Sequence, residues 1–310
     1  MIGKMPPLII ILGPTAIGKT GLAIEIAQSM SGEIIGADSR QIYQYMDIGT
    51  AKPTLAEREQ AVHHLVDFHA PDADFTLAQY QEKAYAAIDD VISRDKVALL
   101  VGGTGQYLTA LEEGWSIPRV PPNEALRERL YQEAEMMGND AFHDKLAAID
   151  EESAEKIHPN NVRRVVRALE VYIETGTPIS VLQRKKPPPY RIMTIGLKME
   201  REALYARADQ RVEQMIEQGF VAEVRRLLDM GYDRMLPSMS ALGYREIVSY
   251  LYGDVTLDEA IQLTKNSTHN FIRRQEIWFR GHDNGILWHN IEDMNRSALM
   301  TDIAKWIQGS

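Results

Sequence analysis

Apolar positions follow two rhythms along the chain. Residues 8–12 are a continuous apolar run, which reads as a parallel strand buried on both faces. The run passes into a glycine turn and then into Leu22, Ala23, Ile26, Ala27 and Met30, whose 3, 4, 7 spacing marks one face of a helix. Short apolar runs at 33–37 and 97–101 repeat the strand pattern, each ending in a turn with polar residues, and 192–197 and 286–288 add two more. The pattern predicts about five strands, mostly parallel, with helices on both faces, an α/β class whose function gathers at the strand carboxyl ends.

Between the third and fourth strands the character changes. Arg119-Val120-Pro121-Pro122 opens a segment that Lys185-Lys186-Pro187-Pro188-Pro189 closes. Inside it, Asn123 can cap a helix carrying Leu126, Leu130 and Met137, with Gly138 at its end, and Asn160 or Asn161 can start another that Gly176 stops. This predicts an inserted all-helical subdomain at 119–189 within a core made of 1–118 and 190–310. Further on, 202–228 has a helical pattern, and 257–279 predicts a long helix ended by Gly281. The chain carries no internal repeat.

Composition narrows the chemistry. At 310 residues, 45% hydrophobic and 25% charged, the chain is long enough for one large core or two smaller ones. No apolar run approaches the roughly 18 residues of a membrane span, and the run at 8–12 enters a glycine turn, unlike a cleavable signal, so a cytoplasmic location and no membrane partner are expected. With no cysteine, disulfides, thiolate zinc sites and cysteine nucleophiles are excluded. The net charge of −10 argues against bulk attraction of nucleic acid, so any nucleic-acid reading needs a local basic patch.

The strongest motif is Gly13-Pro14-Thr15-Ala16-Ile17-Gly18-Lys19-Thr20, a G-x-x-x-x-G-K-[ST] P-loop placed after a strand and before a helix. Its glycines let backbone N–H groups converge on an anion at a helix N-terminus, where the macrodipole already favours negative charge. Lys19 adds a point charge, and the Thr20 hydroxyl is the natural ligand, directly or through water, of a Mg2+ ion bridging phosphate oxygens. The sheet is therefore expected to be P-loop NTPase-like, with a loop that binds a di- or triphosphate. Where a nucleotide hydrolase would place its Walker B acid, the third strand instead ends in Gly102-Gly103-Thr104-Gly105-Gln106-Tyr107. The nearest acid is Asp38 in Ala37-Asp38-Ser39-Arg40-Gln41-Ile42-Tyr43, either a base facing the phosphates or a turn cap beside Ser39.

The segments GPTAIGKT, ADSRQIY and GGTGQYL together resemble the tRNA dimethylallyltransferase (isopentenyltransferase) family. HHLVDFHAP from His63, NNVRRVVRALEVY from Asn161, ALGYREI from Ala241 and RRQEIWFR from Arg273 are similar to later blocks of that family, in the same order. His269 and Ile277 stand where Arg and Thr are commoner. The resemblance implies transfer of a dimethylallyl group from dimethylallyl diphosphate to N6 of the adenosine 3′ to the anticodon of tRNA. Asp38 is then the general base, Thr104 lies near the adenine, and the P-loop with Arg211 holds the diphosphate alongside Mg2+. The target base must be extruded from a stacked anticodon loop. For tRNA the resemblance carries over Asp38, Ser39, Arg40, Gln41, Thr104, Arg127, Arg163, Arg164 and Arg167.

A basic patch is present, which by itself reads as a solvated face and which the resemblance turns into tRNA contacts. Arg163, Arg164 and Arg167 fall within about 100° of one another on a helix, opposite Val162, Val165, Val166, Leu169, Tyr172 and Ile173. Arg184, Lys185 and Lys186 form a second cluster with no role beyond phosphate attraction. His63, His64, Asp67 and His69 mimic metal spacing, but adjacent histidines on a Leu65-Val66 strand would face opposite ways. The mix of Arg273, Arg274, Trp278, Phe279 and Arg280 fits either core or nucleic-acid stacking. A P-loop kinase acting on a small molecule or nucleoside with ATP is the main rival; a nucleotide-switched binding module would need the missing Walker B acid. A monomer is expected by default.

Overall fold

The computed structural model describes residues 5–309. Six strands form one sheet: β1 (Pro7–Leu12), β2 (Gly32–Ala37), β3 (His63–His64), β4 (Val97–Gly102), β5 (Arg191–Lys198) and β6 (Leu287–Asn290), in the order β3-β2-β4-β1-β5-β6. Every pair is parallel, so the sheet is parallel throughout and not merely mostly so. The strand beyond the expected five is β3, whose two residues are too short to show a period. It ends where Leu65 turns to φ 58°, so the pairing residues are His63 and His64 and not Leu65-Val66.

Alternation along β1 divides the core of this unit. Ile9 and Ile11 point to one face, where they meet Leu22 and Ile26 of α1 (Lys19–Met30). Leu8, Ile10 and Leu12 point to the other, against Tyr80, Ala84 and Ile88 of α3 (Leu77–Ser93), which follows the short α2 (Leu55–Gln60), and Leu108 and Leu111 of α4 (Gly105–Glu112). Both faces being covered explains why the strand reads as an unbroken apolar run.

The second unit is Glu113–Pro188. It contains α5 (Glu124–Met137), α6 (Asn139–Ala147), α7 (Glu151–Lys156), α8 (Val162–Thr175) and α9 (Ile179–Leu182) around a core of its own that includes Leu130, Phe142, Leu146, Val165 and Leu169. It opens ahead of Arg119 because its two ends are tied together: Lys186 N–H donates to Gly114 O at 2.8 Å and Ser116 N–H to Arg184 O at 2.7 Å. Asn123 caps α5 through Leu126 N–H at 3.0 Å, and Gly138 and Gly176 end α5 and α8. Two expected core positions are corrected. Met137 and Ile173 are 45% and 49% exposed, because each sits in a final helical turn beyond the packed stripe, and Ala134 and Val171 are buried in their place.

The chain then returns to the first unit with α10 (Arg201–Glu217), α11 (Phe220–Asp229), α12 (Tyr244–Leu251), α13 (Leu257–Gly281) and α14 (Arg296–Gln308). The single helix expected over 202–228 is two, since Gly219 takes φ 97° between α10 and α11. Leu204 and Ala208 of α10 and Leu299 and Ile303 of α14 join α1 on one face of the sheet, while Phe279 of α13 joins the other. Phe220, Val224, Tyr244 and Ile247 pack with Ile42, Tyr43 and Met46 in a satellite core.

At the amino end of β2, Glu33 is 2% exposed and carries a concentrated set of charge contacts. Arg94 grips both oxygens at 2.6 and 2.7 Å, Lys96 donates at 2.5 Å and His64 Nε2 at 2.7 Å. The Arg94 bonds, against the opposing effect of burial and with help from Lys96 and His64, hold this carboxyl well below the usual carboxylate range. A depressed folded pKa contributes stability that is present above the unfolded value and fades as pH falls below it. Glu33→Gln is therefore expected to lower unfolding free energy by about 2 to 4 kcal/mol at pH 7. In urea unfolding the gap to wild type should narrow steadily towards pH 3; a gap independent of pH would contradict this role.

Candidate functional site

β1 delivers Gly13 to the carboxyl end of the sheet, and α1 begins six residues later. Ala16 takes φ 63° in the intervening loop, a conformation uncommon for a residue with a Cβ. Gly18 is the helix N-cap and no side chain caps that end, so the first-turn N–H groups face outward with the positive end of the helix dipole. Lys19 Nζ donates to Gly13 O at 3.0 Å and Pro14 O at 2.8 Å, folding its stem over the loop. Burial pushes the Lys19 ammonium down to about 8, an effect that Asp38 opposes and Arg211 reinforces. Burial also lowers Arg211, with Asp38 again opposing and Arg207 adding to the shift. These groups thus share one electrostatic environment above the loop.

A cavity of about 570 Å³ covers it, lined by the Thr15–Gly21 stretch, Asp38, Arg207, Arg211 and Gln214. A second cavity of about 360 Å³ is lined by Asp38, Ser39, Arg40, Thr104, Phe271 and Arg274, among others. Thr15, Ala16, Asp38, Thr50 and Arg211 line both. Asp38 and Arg211 therefore stand where the space over the loop meets a smaller neighbouring one.

Asp38 caps its turn through one carboxylate oxygen only. Its Oδ1 caps a turn, accepting from Arg40 N–H at 2.8 Å and Gln41 N–H at 3.4 Å, while Oδ2 has no hydrogen-bond partner among the described residues. Thr104 Oγ1 accepts from Ser39 N–H at 3.0 Å, and Thr104 N–H donates to Ala37 O at 3.2 Å, so the end of β4 fixes the loop bearing Asp38. Arg40 is tied to Pro237 O at 2.7 Å. Gln41 Nε2 holds Thr50 O and Ala51 O at 3.2 and 3.0 Å.

Several residues that line or brace these loops escaped the sequence reading. Buried Glu223 accepts from Asp47, Ile48 and Gly49 N–H at 3.0, 2.8 and 3.2 Å and from Tyr244 Oη–H at 2.6 Å, fixing the loop just ahead of the two carbonyls that Gln41 holds. Arg207 lies one helical turn before Arg211, and its guanidinium nitrogen would be 3.3 Å from a Cβ on Gly18. The i, i+4 spacing of these arginines was the available signal. Gln275 on α13 is 5% exposed and bonds both Thr15 N–H and Gly103 O. A Cβ at Gly103 would sit 2.5 Å from Gln275 Nε2, and one at Gly105 would sit 2.2 Å from the Trp278 ring. The GGTGQYL and RRQEIWFR blocks interlock: the glycines of one make room for two side chains of the other. Trp278 and Phe279 accordingly belong to the packed interior, while Arg273, Arg274 and Arg280 are exposed.

In the helical unit the arginine ridge divides. Fully buried Glu170 accepts from Arg127 Nε at 2.9 Å, Arg167 at 2.6 Å and Asn123 N–H at 2.8 Å. Burial opposes its charge, but the Asn123, Arg127 and Arg167 bonds hold it below the usual carboxylate range. Arg127 and Arg167 thus have a packing role, whereas Arg163 and Arg164 are exposed and make no ion pair among the described residues. Lys185 pairs with Glu113 at 2.6 Å.

The histidine group disperses. His63 Nδ1 donates to Ala61 O, His64 to Glu33, and His69 bonds Ala73 O, while Asp67 pairs with Lys52. Among the described residues no three His, Cys, Asp or Glu side chains gather to hold a metal, and no helix is long and apolar enough to cross a membrane.

With this geometry in place, comparison with known proteins gives a consistent result. A family model described as IPP transferase matches residues 41–282. A tRNA dimethylallyltransferase of Roseiflexus sp. (strain RS-1) is 52% identical over 304 residues, covering 98% of this chain and 99% of the relative. The solved structure of the full-length tRNA isopentenylpyrophosphate transferase of Bacillus halodurans superposes with a TM-score of 0.72 at 38% identity, covering 99% of this chain and 96% of that one. A eukaryotic dimethylallyltransferase captured acting on tRNA gives a TM-score of 0.80 at 26% identity, with coverage of 98% and 80%.

The lowered Lys19 value has a measurable consequence. Lys19 is charged below about 8 and loses its charge above it, so affinity for inorganic diphosphate should fall as pH rises from 7.5 to 9.5. Calorimetric titration of Lys19→Met should give weaker binding with most of this pH dependence gone; a variant with an unchanged profile would remove Lys19 from anion binding.

Proposed function

The chain belongs to the IPP transferase family, and on that premise we propose that it modifies tRNA, transferring a dimethylallyl group from dimethylallyl diphosphate to N6 of the adenosine 3′ to the anticodon. The observation that carries the reading is the placement of Asp38 and Arg211 on the wall common to the two cavities. The donor's diphosphate lies over residues 13–20, with Lys19, Arg211 and Arg207 neutralising it. The extruded adenine enters the neighbouring cavity past Ser39 and Thr104. N6 attacks the C1 carbon of the donor, the C1–O bond breaks, and diphosphate leaves with the bonding electron pair. The unpartnered Oδ2 of Asp38 takes the N6 proton, which raises the nucleophilicity of a weak amine. Preorganised cations and loop N–H groups stabilise charge on the departing oxygens.

Thr20, which lines the cavity over the loop, would hold Mg2+ through its hydroxyl together with the donor's diphosphate. When bound, the ion supplies further charge stabilisation to the leaving group. In the first unit Ser39, Arg40, Gln41 and Thr104 contact tRNA near the base; in the helical unit, Glu113–Pro188, Arg163 and Arg164 contact tRNA phosphates while Arg127 and Arg167 shape the unit itself. The enzyme works as a monomer in the cytoplasm.

Incubation with unmodified tRNA, Mg2+ and either dimethylallyl diphosphate or ATP, followed by mass spectrometry of the nucleosides, tests this. Prenylated adenosine is expected with the first donor only, and phosphorylated product from ATP alone would favour a kinase. Asp38→Asn retains an acceptor for the turn and should lower kcat by about 10² to 10⁴ while tRNA affinity stays within about threefold. Replacing Arg163 and Arg164 by Ala should weaken tRNA binding and reduce the salt slope by about 1 for each phosphate no longer neutralised, at unchanged stability. Arg167→Ala should instead cost about 1 to 3 kcal/mol in urea unfolding, because Glu170 loses a buried partner. Equal behaviour of these substitutions would contradict the division of the ridge.

A further inference from the structure

We infer that Gln275 is a positioning residue that couples the anion loop to the loop carrying Asp38, so that the donor carbon and the proton acceptor are aligned together; for the kinetics this rests on the prenyl-transfer reading. Its Oε1 accepts from Thr15 N–H at 2.9 Å and its Nε2 donates to Gly103 O at 2.8 Å. The backbone partners fix the amide orientation, since an N–H can only donate and a carbonyl can only accept. A buried carboxamide satisfies both; an apolar side chain satisfies neither.

The bonds continue on each side. Gly103 precedes Thr104, whose Oγ1 holds Ser39 N–H beside Asp38, and Thr15 shares with Asp38 the wall common to both cavities. The continuous path is Thr15, Gln275, Gly103 to Thr104, Ser39, Asp38. Trp278, three residues on, donates to Thr109 Oγ1 at 3.1 Å and packs over Gly105, fixing the rotation of α13 that aims the carboxamide. Lys19 is close to this junction: its Nζ would lie 3.4 Å from a Cβ on Gly103.

Hydrogen exchange of the wild-type protein with and without inorganic diphosphate and Mg2+ tests the coupling without any variant and without the prenyl reaction. Slowed exchange is expected at 13–20 and also at 102–105 and 37–41; protection confined to 13–20 would overturn the inference. In Gln275→Met the protection at 102–105 and 37–41 should be lost while that at 13–20 persists. The same variant should show kcat for prenyl transfer reduced about 10- to 100-fold, with KM for donor and tRNA within about threefold. A folded variant with wild-type kcat, or one whose whole defect lies in KM, would refute the positioning role. Failure of the wild-type protein to prenylate tRNA would instead sink the functional reading, leaving the exchange result to judge Gln275.

Discussion

An uncapped helix N-terminus held at the end of a fully buried strand is the constraint on which the rest depends. Four N–H groups at such an end must be satisfied by something, and no side chain does so at Gly18. The strand beneath cannot yield, since Leu8 to Ile11 are wholly buried between helices on both faces. The loop is therefore presented rigidly, and the surrounding cations Lys19, Arg207 and Arg211 make an anion its complement. Asp38 is the acid placed among them, and its position is determined by the parallel register of β2 and β4, which puts Ala37 beside Gly102.

Buried carboxylates then do the positioning around this centre. Glu223 gathers three consecutive N–H groups of the loop at 47–49, and Glu170 gathers Asn123, Arg127 and Arg167 in the helical unit. Each carboxylate is costly to bury alone and becomes an organiser once several donors converge on it. This also bears on the net charge of −10: the acids that shape the fold are turned inward, and exposed Arg163 and Arg164 remain free to meet phosphate locally despite the overall sign.

Much of this was legible in the sequence where the signal is local. The strand and glycine turn before α1, the Asn123 and Gly138 limits of α5, and the stop at Gly176 follow from spacing and capping chemistry. What was not legible depends on distance or context. Two-residue β3 has no period to detect, and the break at Gly219 lies inside a pattern that stays apolar at helical spacing on both sides. The pairing of Gln275 with Thr15 joins residues 260 apart, and nothing near Gln275 announces its partner. Arg127 and Arg167 look like surface charge until Glu170, apolar by position yet acidic by type, is seen to be buried between them.

In the proposed reaction the P-loop grips a leaving diphosphate while Asp38 faces the attacking base. A crystal structure with an anticodon stem-loop and an unreactive thiolo analogue of dimethylallyl diphosphate tests it most directly. The diphosphate is expected over residues 13–20, in contact with Lys19 and Arg211, and an extruded adenine with its N6 within hydrogen-bond reach of Asp38 Oδ2. A diphosphate bound elsewhere, or an adenine distant from Asp38, would contradict it.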